Sequence, residues 1–127
     1  MEFLTRLEEK DESKMVKEKM ADIQLMSEFN HYRMLKGIAF GKGITLSIQA
    51  SYGHYCTPRE TTDLDDYSAM ELGLLQNGEF VTVSSLLPEF SRLKEIEEYE
   101  DTVYGYVPVD LIGELYQELK KSYGLVK

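Results

Sequence analysis

The chain has 127 residues, a mass of 14.7 kDa, a formal charge of −9 and an isoelectric point near 4.7. These values exclude a second catalytic domain, and they exclude general nucleic-acid affinity, which needs clustered Lys and Arg against phosphate. A hydrophobic fraction of 43% suffices for a buried core, while a single cysteine excludes an internal disulfide and any zinc site built from cysteine pairs.

Met1 to Arg6 lack the basic-then-apolar order of a signal peptide, and no run approaches the ~18 apolar residues of a membrane span, so the expectation is a cytosolic protein. Residues 3–36 contain no glycine or proline and are rich in Glu, Lys, Met and Leu, which predicts helix. Asp11 and Ser13 offer an N-cap and hence a break after a short first helix. Val16, Met20, Ile23, Met26 and Phe29 then recur at spacings of three and four, giving one apolar stripe. Gly37 reads as the C-terminal stop, with Arg33 and Lys36 placed against the helix dipole. This block, 1–36, is read as an N-terminal helical arm that either lies on its own domain or pairs with a second copy through residues 13–36.

Residues 37–127 are read as one compact α+β domain. Gly41, Lys42 and Gly43 form a turn whose spacing does not match a phosphate loop. Ile44, Leu46, Ile48 and Ala50 alternate with Thr45, Ser47, Gln49 and Ser51, as in a half-buried strand. Residues 67–75 predict a second strand, with Met70, Leu72 and Leu74 on one face. Asn77-Gly78 predicts a hairpin turn whose return arm runs through Phe80 to Val83. Glu89 to Tyr99 carries Phe90, Leu93 and Ile96 at helical spacing. Residues 102–107 predict a last strand ended by Pro108. Leu111, Ile112, Leu115, Tyr116 and Leu119 predict a closing helix that stops at Gly124. The expected architecture is a small antiparallel sheet of three to four strands with helices on one face.

Three features carry candidate chemistry. His54, Tyr55, Cys56, Arg59 and Glu60 stand together in a chain with only two histidines. A cysteine two residues from a histidine is compatible with an activated thiolate, but equally with a small buried hydrophobe beside a structural histidine. Arg59 is the ligand-binding candidate there, with His54 and Tyr55, because a guanidinium grips phosphate or carboxylate with two hydrogen bonds; an ion pair with Glu60 or Asp63 is the structural alternative. Asp63, Asp65 and Asp66 lack the spacing of a calcium loop, and no metal or cofactor is expected. Residues 68–107 hold most of the excess negative charge. Glu95, Glu97, Glu98, Glu100 and Asp101 place five carboxylates in seven positions, read as a solvated segment or as a docking surface for cationic groups. Strict alternation puts Tyr104 and Tyr106 on one sheet face; an open face lets the rings stack on a base or anchor a partner protein, and a helix covering that face is the structural alternative.

The strings Ile44-Thr45-Leu46-Ser47-Ile48-Gln49-Ala50-Ser51, His54-Tyr55-Cys56-Thr57-Pro58-Arg59-Glu60, Tyr67-Ser68-Ala69-Met70-Glu71-Leu72-Gly73 and Val103-Tyr104-Gly105-Tyr106-Val107-Pro108 resemble a family of small bacteriophage and prophage proteins with no established activity. The resemblance spans roughly residues 44–115 and omits the N-terminal arm. It implies by analogy a non-enzymatic inhibitor of bacterial defence, similar to an anti-CRISPR protein, acting in the host cytoplasm. The expected partner is a basic, nucleic-acid-binding defence protein met by Glu95, Glu97, Glu98, Glu100, Asp101, Tyr104 and Tyr106, with no direct nucleic-acid or membrane contact. The alternatives are a sponge for a nucleotide immune signal held by Arg59 and the tyrosines, a small Cys/His enzyme, and an oligomeric structural phage component.

Overall fold

The structure, a computed structural model, describes residues 2–11, 33–51, 53–97 and 103–126. The stripe from Val16 to Phe29, and with it residues 13–32 of the expected pairing surface 13–36, lies outside these residues.

The fold is α+β, built on a five-stranded antiparallel sheet. Strands β1 (Ile38–Ala39), β2 (Ile44–Gln49), β3 (Ala69–Gln76) and β4 (Glu79–Phe80) follow one another in space, and β5 (Val103–Pro108) pairs with the first half of β3. Beside β3, the longest strand, the other strands find their register through the apolar pattern. Leu46 faces Leu74 and Ile48 faces Leu72, and all four side chains are fully buried. Asn77 and Gly78 both take positive φ, 52° and 84°, as the two-residue hairpin turn between β3 and β4 requires.

The expected return arm stops at Phe80. Thr82 adopts an extended conformation and its hydroxyl accepts from the Ser85 N–H, so residues Val83–Leu86 turn into a short helix, α2. A further short helix, α3, covers only Leu93–Glu97 of the segment predicted from Glu89 onward.

The closing helix, α4 (Val109–Tyr123), lays Leu111, Ile112, Leu115, Tyr116 and Leu119 on the inner face of the sheet, all buried. Each fully buried aliphatic side chain of this kind stabilises the fold by about 1.5–3 kcal/mol. Gly124, at φ 75°, ends the helix and donates its N–H to Lys120 O at 2.9 Å. No helix among the described residues is long and apolar enough to cross a membrane.

The two ends of the segment read as an arm belong to this same core. In α1 (Glu2–Arg6), Phe3 is fully buried with its ring 6.5 Å from that of Tyr116, and the Glu2 carboxylate takes the Tyr116 hydroxyl and, at 2.8 Å, the Lys120 ammonium. At the other end, none of residues 33–37 is helical and Leu35 forms an antiparallel bridge with Glu9, so Arg33 and Lys36 do not close a helix. Lys10 donates to Met34 O at 2.8 Å and Lys36 to Glu8 O at 2.7 Å, and the Gln49 side chain holds both backbone groups of buried Leu35 at 2.8 Å. Burial of Leu35 in the core and the donor and acceptor of Gln49 outweigh local helix propensity here.

Strand β5 corrects a second expectation. Tyr104 is buried, at 4% exposure, whereas Tyr106 is 46% exposed, so the two rings are on opposite faces. The cause is a bulge. The register moves from Met70↔Val107 to Leu72↔Tyr104, which leaves two residues of β5 opposite one of β3, and Tyr106 takes the left-handed backbone, φ 56°. Alternation by two therefore fails between 104 and 106.

Candidate docking site

The connection from β2 to β3, residues 50–68, crosses the end of the sheet and carries His54, Tyr55, Cys56 and Arg59. Two buried clusters hold it. In the first, Ser51 Oγ lies 2.6 Å from His54 Nδ1, the His54 N–H donates to Ser51 O at 3.1 Å, and the Cys56 thiol lies 3.2 Å from Ser51 O and 3.3 Å from Pro58 O. Burial lowers the His54 pKa, aided by Arg33 and opposed by Glu71, so the imidazole is neutral near pH 7. Burial, with Glu71, raises the Cys56 pKa. A nucleophilic cysteine needs the opposite shift. Cys56 thus behaves as a small core residue with carbonyl partners, and His54 as the pin of a turn.

The second cluster centres on Arg33 and Tyr67, neither of which stands out in the sequence as a site residue. The Arg33 guanidinium donates to Ala50 O at 2.7 Å, Thr62 O at 3.0 Å and Tyr67 Oη at 3.1 Å. Tyr67 Oη in turn donates to Glu60 O at 2.6 Å and accepts from the Thr62 N–H. One cation from a distant segment thereby satisfies carbonyls at the start of the loop and within its second half. Only proximity in space reveals the role, because Arg33 precedes Thr62 by 29 residues.

So anchored, the loop presents Tyr55 outward, 52% exposed. The Tyr55 N–H donates to Glu71 Oε2 at 3.0 Å, and Tyr55 O accepts from the Tyr106 N–H at 2.9 Å, which closes the outer edge of β5. Gly105 permits the contact, since a Cβ there would stand 3.0 Å from that of Tyr55. The result is a cluster around the Tyr55 ring: Arg59 Cζ lies 4.9 Å from its centre, and the Tyr106 ring is tilted against it at 46° with centres 5.9 Å apart. Arg59 therefore lies on an aromatic face. Glu60, Asp63, Asp65 and Asp66 are exposed on the same loop, and among the described residues no three His, Cys, Asp or Glu side chains group to hold a metal ion.

The carboxylate segment after residue 94 is arranged differently. Glu95 is exposed but gripped by Arg92 at 2.7 and 2.9 Å, and the same guanidinium reaches Asp110 at 2.9 Å and Glu114 at 3.5 Å. These hydrogen bonds lower the pKa of Glu95 and of Asp110 and raise that of Arg92. Glu97 ends α3, while Glu98, Glu100 and Asp101 lie outside the described residues. Of the seven residues expected to meet a partner, Tyr104 is in the core, Glu95 is engaged within the chain, and Tyr106 is joined on the surface by Tyr55 and Arg59. No family model, no curated protein and no solved structure matches this chain.

Proposed function

We propose that this chain is a non-enzymatic phage or mobile-element protein that inhibits a bacterial defence protein in the host cytoplasm by occupying its surface, with the Tyr55, Arg59 and Tyr106 cluster as the centre of the docking face. The observation that carries the reading is the backbone of Tyr106. A non-glycine residue in the left-handed region costs about 1–2 kcal/mol, and glycine would avoid that cost. The bulge opposite β3 places that strain at Tyr106, whose N–H is bonded to Tyr55 O while its ring, in contact with that of Tyr55, stays nearly half exposed. Strain held at an exposed aromatic is a mark of a binding residue, and tyrosine and arginine are the side chains on which partner binding most often concentrates. The buried thiol and the Ser51-bound imidazole support binding over catalysis.

The test compares the full chain with Tyr106→Gly. The variant is expected to unfold at the same or a higher denaturant concentration, yet to lose a defence protein that the parent captures from host lysate. The parent, but not the variant, is expected to raise phage plating on a defended host and to change nothing on an undefended one. Undiminished capture and protection by Tyr106→Gly would sink the reading.

A further inference from the structure

The Tyr55 and Tyr106 pair is one end of a longer exposed stripe. Val103 shares the outer face of β5 with Tyr106, because Tyr104 and Val107 between and beyond them turn inward. Val103 faces Gly73 across the β3 ladder, and the Phe80 ring of β4 lies over the same glycine, where a Cβ would approach it to 3.2 Å. Phe80 is 53% and Val103 40% exposed, so four of the five large apolar side chains exposed among the described residues fall on this one face. Beside them a groove of about 370 Å³ crosses the sheet, lined by Phe80, Val103 and Glu71 and by Thr45, Ser47 and Gln49. Glu71 joins the two parts, since it lines the groove and also holds the Tyr55 N–H.

The charge around this stripe is mostly of one sign. Glu71 stands within it and Glu60, Asp63, Asp65 and Asp66 are exposed along the loop that carries Tyr55, against Arg59, which lies on Tyr55, Arg33, which is hydrogen-bonded to Ala50 O and Thr62 O of that loop, and Lys10 at the rim of the groove. With −9 on each chain, a second copy or a polyanion is repelled, whereas a basic segment is attracted. The Arg59 guanidinium over Tyr55 displays, inside the molecule, the geometry in which a cation meets these rings.

We infer that the stripe from Phe80 through Val103 and Tyr106 to Tyr55 receives a lysine- and arginine-bearing protein segment. Its apolar side chains rest on the stripe and groove, and its cationic groups meet Glu71 and the carboxylates of residues 60–66. The inference rests on the docking reading above and adds the chemistry of the partner.

Three synthetic peptides of equal length are titrated into the full chain: one alternating Arg or Lys with Leu, one with Glu in place of the cations, and one with Ser. Only the basic peptide is expected to bind, with amide shifts confined to residues 55–66, 71–75, 80 and 103–106. Phe80→Ala should weaken it about fivefold, as a typical truncated anchor does. The triple change Asp63→Asn, Asp65→Asn and Asp66→Asn should weaken it by a similar factor in low salt and flatten its salt dependence. Failure of the basic peptide to bind, equal binding of the acidic peptide, indifference to these substitutions, or a self-associated chain that Phe80→Ala returns to monomer overturns the inference. The two claims fail separately: if Tyr106→Gly loses the captured protein while no basic peptide binds, the docking face stands and only the partner's chemistry falls.

Discussion

Two surface regions of this protein carry clustered charge. Around Arg92 one guanidinium holds Glu95 and also reaches Asp110 and Glu114, so the one described carboxylate of the dense run whose contacts are seen is engaged within the fold. On the loop that carries Tyr55, the Arg59 guanidinium lies on a ring and that of Arg33 on carbonyls, and Glu60, Asp63, Asp65 and Asp66 stay exposed. The difference teaches that carboxylate density alone does not mark a docking surface. What matters is whether the fold has already supplied the counter-charge, and whether it holds rigid aromatic area beside the charges left over.

The comparison is broken most severely at the anchor of the loop. Arg33→Ala strands the partly buried carbonyls of Ala50 and Thr62 and should cost about 2–3 kcal/mol in urea unfolding, because buried acceptors lose a charged donor. The Tyr55 and Tyr106 resonances should shift together, and unchanged stability would refute the anchoring role. Gly105→Ala pushes a methyl against the Tyr55 Cβ and should cost about 1–3 kcal/mol as overpacking, with Tyr55 displaced. Tyr106→Gly should be neutral or stabilising by up to about 1 kcal/mol as the left-handed strain is removed, which sets it apart from both changes.

Acidification sharpens the same contrast. The unfolded chain takes up a proton at His54 near pH 6.5, while the folded chain holds that imidazole neutral to lower pH. Stability is therefore present above pH 6.5 and declines as pH falls from there toward the folded pKa, and His54→Asn should flatten this part of the profile. If the parent and His54→Asn lose stability in parallel between pH 7 and 5, His54 is not the group responsible. The smallest effect belongs to the other region. Glu95→Gln removes an exposed ion pair and should change stability by less than about 1 kcal/mol, leaving partner capture intact.

Much of the frame was legible before any coordinates. Alternation set the inner faces of β2 and β3, Asn77-Gly78 marked the hairpin, and the spacing from Leu111 to Leu119 marked α4, because each is a local pattern with one dominant period. Within the site, His54, Tyr55, Arg59 and Tyr106 were recognisable as candidates. Their company was not. Alternation places Tyr104 beside Tyr106, but the bulge opposite β3 puts the two rings on opposite faces, and Arg33 has the local context of a helix end although it clamps a loop 17 and 29 residues away.

The sequence by itself determined the class of fold, the acidity and the inward-facing residues of β2, β3 and α4, since hydrophobic periodicity and composition are properties of short stretches. Tertiary structure alone decided which charges are matched, which tyrosines reach the surface and what ties the loop to the sheet. Those outcomes depend on pairings between segments far apart in the chain, where burial of Leu35 and Tyr104 and the satisfaction of carbonyls at Ala50 and Thr62 outweigh local preference.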